Sequence, residues 1–235
     1  MTRYWDRQNS VLAFWTDPVS ETPEWIADRI DAFVERASAS TGIAAWRLGD
    51  GAQWRGSRAE RAALIRRFPS PGATGAPDGE DGYALSVAGT TADRVFIQCT
   101  VMAGDPYPGR RTPMHSVSVR LQKLEARGQD PELGLRLLGD VAVAFDPAAA
   151  RWSLDGMSAF ATRRGFQVPE GNATWVNDAV AAVTTVAEGV AADRVGNGVL
   201  LTTPADWSGE RIAAAIRATL DANGIADVPR RPAGA

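Results

Sequence analysis

An α+β fold, with an antiparallel meander-containing sheet packed against amphipathic helices, follows from three features of the sequence. Three consecutive segments between Tyr83 and Leu121 alternate apolar and polar residues with period two. Windows opening at Thr22, Asp130 and Ser208 instead repeat their apolar residues at helical spacing. Strand and helix segments do not alternate strictly along the chain, which argues against a wound parallel sheet.

The elements follow in order. Val11 to Trp15 is an apolar run closed by Asp17-Pro18 and reads as a first strand. Thr22-Pro23 supplies an N-cap and a first-turn proline for a helix running to about Ala37, with Trp25, Ile26, Ile30, Phe33 and Val34 on its buried face. Ser57-Arg58-Ala59-Glu60 is a capping box opening a short helix through Leu64, Ile65 and Phe68, stopped by Pro69. Prolines and glycines then crowd the stretch to Gly82, which reads as a flexible loop near 69–82.

The meander comes next. Leu85 and Val87, then Val95, Ile97, Cys99 and Val101, then Val117, Val119 and Leu121 mark the core side of three strands. Gly89 to Asp93 joins the first two, and a proline-rich loop from Gly104 to Pro113 joins the second and third. Asp130-Pro131 opens a helix whose stripe of Leu133, Leu137, Leu138, Val141 and Phe145 should cover the sheet, closed by Asp146-Pro147. Ala173 to Val190 mixes alanine with β-branched residues and supports either a helix or a strand pair. Gly198 to Thr203 reads as a strand, and Ser208 to Leu220 as a helix ended by Asn223-Gly224. Residues 1–225 are thus read as one α+β domain and 226–235 as a frayed C-terminal tail.

The 235 residues are enough to bury roughly 70% of the unfolded surface. With 45% hydrophobic and 23% charged residues and a net charge of −3, the composition is that of an ordinary globular protein and offers no basic sheath for nucleic acid. The start lacks the basic and apolar regions of a signal peptide and no apolar run is long enough to span a bilayer, so a cytoplasmic location is expected.

Single copies of Cys99, His115 and Lys123 narrow the chemistry. An intrachain disulfide needs a second cysteine, and a Ser-His-Asp or Cys-His site must run through His115, which lacks a Gly-x-Ser-x-Gly elbow elsewhere in the chain. His115 reads as a satisfied histidine at a strand end, and Cys99 as a small hydrophobe among Val95, Ile97 and Val101. The glycine-rich stretch near Gly72 to Gly79 is followed by no lysine, so it reads as a linker and not a phosphate loop. No catalytic, cofactor or metal residue is assigned, and no small-molecule substrate is expected.

Candidate partner-binding residues fall in three groups. Glu24, Asp28, Asp31 and Glu35 fall on one face of the first helix, a pattern that is ordinarily a solvated face and otherwise an anionic dock for a basic partner. Trp46 and Trp54 flank Gly49-Asp50-Gly51 in a polar connection and are expected to be partly exposed. Tyr107, Arg110 and Arg111 sit in the long meander loop and are residue types favoured as interface anchors.

The order of segments resembles the immunity protein 52 family of bacterial polymorphic toxin systems. The likeness covers most of the chain and rests on Tyr4-Trp5, the helix from Trp25, Gly82-Tyr83-Ala84-Leu85-Ser86-Val87, Leu137-Leu138, Phe145-Asp146-Pro147, Trp175, Gly198-Val199-Leu200-Leu201 and the closing helix. Phe145 stands where the family tends to have Trp, and Val87-Ala88-Gly89 where it usually has Trp-Asn-Gly. The resemblance implies a non-enzymatic α+β protein that binds and neutralises a cognate protein toxin, often a restriction-endonuclease-like nuclease, without cofactor, membrane or direct nucleic-acid contact. A metal-assisted hydrolase with a carboxylate site, or an adaptor or chaperone of a secreted protein, are the alternatives.

Overall fold

The computed structural model describes residues 9–15, 21–70, 82–104, 115–123, 131–154 and 156–228. Among these described residues, nine strands form one sheet in which every neighbouring pair is antiparallel. They are β1 (Asn9–Trp15), β2 (Arg47–Leu48), β3 (Tyr83–Thr90), β4 (Val95–Ala103), β5 (His115–Lys123), β6 (Ala149–Ser153), β7 (Ala173–Asn177), β8 (Ala191–Val195) and β9 (Gly198–Thr202). The helices are α1 (Pro23–Thr41), α2 (Arg58–Ile65), α3 (Pro131–Phe145) and α4 (Gly209–Ala222). The α+β expectation holds.

The strand order is β2-β3-β4-β5-β1-β6-β7-β9-β8. From β1 in the middle, the chain passes through α1 to the far edge at β2 and returns by the meander until β5 pairs with β1. Both β5 and β6 run antiparallel to β1 and so parallel to each other, and α3 makes the crossover that such a pair needs. This connection places α3 over the centre of the sheet.

The two faces are covered unequally. Val11, Ala13 and Trp15 of β1, together with Leu85, Val87, Ile97, Cys99, Val101, Val117 and Val119 of the meander, pack on α1 and α3 through Ile26, Ile30, Phe33, Leu137, Leu138, Val141 and Phe145. On the opposite face, Phe14 and Ala149 join Val176, Val199 and Leu201 beneath Ile212, Ile216 and Leu220 of α4. This second core stops at β1, so no described helix covers that face of β2 to β5.

Helix ends match the local signals. Thr22 accepts from the Trp25 N–H, and α1 runs four residues past Ala37 to Gly42, whose φ of 71° closes it in the left-handed region. Ser57 and Glu60 form the reciprocal capping box. At the end of α3, Asp146 has a φ of 47° and its carboxylate accepts from the amides of Asn177 and Asn197 at 2.9 and 3.2 Å. One residue thereby joins the helix end to β7 and the β8–β9 turn.

Several expectations are resolved or corrected. The undecided segment contains β7, from Ala173 to Asn177, followed by an irregular connection to β8. The packed chain extends past 225 to Val228, which is fully buried and donates its N–H to Phe166 O, while Val168 N–H bonds to Ala226 O. The frayed tail therefore does not begin at 226, because the last residues lie against the loop after β6. Most of the loop near 69–82 and the remainder of the tail lie outside the described residues. Among the described residues no helix is long and apolar enough to cross a membrane.

Candidate functional site

The acidic stripe of α1 faces α2. Arg58 forks onto Asp28 with bonds of 2.7 and 2.6 Å, Arg61 pairs with Asp31 at 2.6 Å, and Arg66 donates to Glu24. Asp31 also accepts from the Trp54 indole N–H at 2.8 Å. Glu35, one turn further, is exposed and has no ion pair among the described residues. Three of the four carboxylates are thus joined to an arginine ladder carried by α2, which packs its Ala62 and Ile65 inward. The signal for this ladder was the arginine spacing 58, 61 and 66 behind the capping box.

Electrostatics follow the geometry. The backbone hydrogen bond at Glu24 and then Arg66 hold its carboxyl below the usual range, and Arg58 does the same for Asp28. Burial dominates at Asp31 and pushes its carboxyl up, against the opposing pull of Trp54 and Arg61. Both exposed pairs gain little in water, whereas Asp31 has two partners that depend on it.

Trp46 and Trp54 are not partly exposed, as their loop position predicted, but buried at 4% and 7% exposure. A tight turn closed by Trp54 N–H to Trp46 O brings both rings onto α1. There Trp46 donates to Ser38 at 2.9 Å and meets Phe33 edge-on, and Trp54 reaches Asp31. Each indole thereby has a hydrogen-bond partner in the core, which permits full burial of the ring. Tyr107, Arg110 and Arg111 lie outside the described residues.

His115 and Cys99 are both internal. His115 opens β5 with Nδ1 3.0 Å from the fully buried Glu21 carboxylate, which also accepts from Trp15 Nε1 and from Gly104 N–H at 2.7 Å. This cluster ties the start of α1 to the ends of β1, β4 and β5. Burial alone pushes the Cys99 thiol far above its ordinary value.

Sequence reasoning missed a second buried carboxylate. Glu170 accepts from Arg163 N–H at 3.0 Å, Thr162 Oγ1 at 3.1 Å and Arg217 Nε at 2.9 Å. The Arg163 side chain bonds in turn to the carbonyls of Ile225 and Ala226 and to Asp221. The network clamps the loop after β6 onto α4, and its members are too far apart in sequence to form a motif. Among the described residues, no three His, Cys, Asp or Glu side chains converge as a metal site.

No family model and no curated protein matches this chain. Among solved structures it is similar to the Pseudomonas aeruginosa T6SS protein PA0821, at 14% identity and a TM-score of 0.44 over 92% of this chain and 76% of that one.

Proposed function

We propose that this chain is an immunity protein that binds and neutralises a cognate polymorphic toxin, a restriction-endonuclease-like nuclease being the toxin class its family resemblance implies. One observation supports this reading most: the sole histidine and the sole cysteine are both built into the core, His115 beside Glu21 and Cys99 under α1 and α3. What remains for function is surface. The segments carrying the resemblance add support, since Gly82 to Val87 opens β3, Asp146 joins α3 to β7, and Trp175 lies beside Leu200 across the β7–β9 pair. Inhibition is then stoichiometric, the chain is no enzyme, and it acts in the cytoplasm of the cell that makes the toxin.

Docking through the α1 stripe would require a basic toxin to displace Arg58, Arg61 and Arg66 from Asp28, Asp31 and Glu24. That competition makes the stripe a weaker dock than its number of carboxylates implies. The function is tested by co-expressing the tagged chain with the toxin encoded in the adjacent reading frame. Co-purification and restored growth are expected, and full toxin activity at an excess of this chain would overturn the proposal.

A further inference from the structure

The face of the sheet that no described helix covers, beside α4, has a charge and residue pattern of its own. Strand alternation puts Arg47, Ala88, Gln98, Arg120, Ser10 and Ser153 in one row across β2, β3, β4, β5, β1 and β6. The next row holds Ser86, Thr100, Ser118, Leu12 and Arg151 across β3 to β6. Three arginines and a field of hydroxyls and amides therefore share this face, and the described residues that β1 to β6 turn toward it include no carboxylate. The chain as a whole has a net charge of −3, so this is a local reversal of sign.

Arg47 and Arg120 are exposed, and at the usual strand spacing they stand about 14 Å apart. Neither they nor Arg151 has an ion pair among the described residues: Arg47 donates to Gly51 O and Arg151 to Glu170 O, both neutral carbonyls. The carboxylate of Glu170 is itself committed to Arg163, Thr162 and Arg217. Burial and then the nearby Arg164 cation disfavour the charge on Arg151, against an opposing pull from the Glu170 carboxylate. Ser153 Oγ, beside Ser10 in the first row, is buried without a hydrogen-bond partner among the described residues.

We infer that the face of β1 to β5 that no described helix covers docks an acidic surface of a partner protein, with Arg47 and Arg120 as its cationic anchors and the part-buried Arg151 at its margin. Ser86, Thr100 and Ser118 share this face with the two arginines and with Leu12, Phe96 and Met102, a mixed polar and apolar surface of the kind partner proteins cover, and guanidinium forks suit carboxylates. The inference rests on the immunity reading only in taking the partner to be the toxin.

The test measures binding of fluorescein-labelled decaglutamate to the full chain at low ionic strength, with amide shifts recorded by NMR and an oligothymidylate of equal length as the competing polyanion. R120E is expected to weaken decaglutamate binding about tenfold, while the same reversal at R55E, outside this face, has little effect. The neutral pair R47Q/R120Q guards against misfolding and should weaken binding in the same direction with an unchanged melting curve. Shifts should concentrate in β1 to β5, Arg47 and Arg120 included. Absent binding, equal effects of R55E and R120E, or tighter binding of oligothymidylate would each overturn the inference. Should the toxin stay active beside the chain while decaglutamate still maps to this face, the immunity reading fails and the docking face stands.

Discussion

Glu170 is fully buried in the C-terminal half and bonded to Arg163, Thr162 and Arg217. Burial alone would raise its carboxyl, but the Arg163 N–H and the Arg217 guanidinium together outweigh that and hold it below its ordinary 4.5. Its stabilisation is therefore complete above pH 4.5 and is lost as pH falls through the lowered folded value. Glu170→Gln is expected to cost about 1–3 kcal/mol at neutral pH by weakening the bonds to a buried carboxylate whose arginine partner is partly solvated, with the two urea curves converging in acid. At Cys99 the thiol is buried and its ionisation strongly disfavoured, so a disulfide reagent should label it only on unfolding. Rapid native labelling would contradict that placement. Cys99 and His115 were legible in the sequence because their strand positions fixed which way they point. The Glu170 network was not, since its contacts join Arg151, Thr162, Arg163 and Arg217 across the fold.

At the scale of elements, the arginine ladder and one close helix approach carry the predictions. Asp28→Asn removes an exposed pair and should leave the urea midpoint nearly unchanged. Asp31→Ala removes the partner of both Trp54 Nε1 and Arg61, and about 1–3 kcal/mol of lost stability is expected. Equal midpoints for the two variants would refute the distinction. In α3, a Cβ at Gly134 would lie 2.1 Å from Nε1 of Trp152, whose indole is fixed by a 2.5 Å bond to Asn9. Gly134→Ala should therefore destabilise by about 1–3 kcal/mol through overpacking, although alanine ordinarily favours a helix over glycine. The elements with one face on a core were legible: α1, α2, α3, α4 and the meander all announce their period. Strand β7 has all five residues buried and β8 has four of five exposed, so neither alternates, and β6 is short and alanine-rich. Trp46 and Trp54 were misjudged because a turn that is polar in sequence folds its two aromatic flanks inward.

Over the whole molecule, charge is arranged by face and not by total. Three of the four α1 carboxylates are met by arginines of α2 and its C-cap, while the face of β1 to β5 that no described helix covers presents Arg47 and Arg120 with no acid among the described residues of those strands. The sequence pattern revealed the first set as a stripe but not its partners, and it could not reveal the second, because Arg47, Arg120 and Arg151 come to share one face only through strand order. The reading as a binding protein makes a quantitative demand on the assembled molecule: it must be consumed as it inhibits. The direct measurement is toxin activity titrated with purified full-length chain at toxin concentrations well above the dissociation constant. A linear fall to zero at a fixed molar ratio is the predicted result; loss of activity at a small fraction of that ratio, or none at any excess, would contradict it.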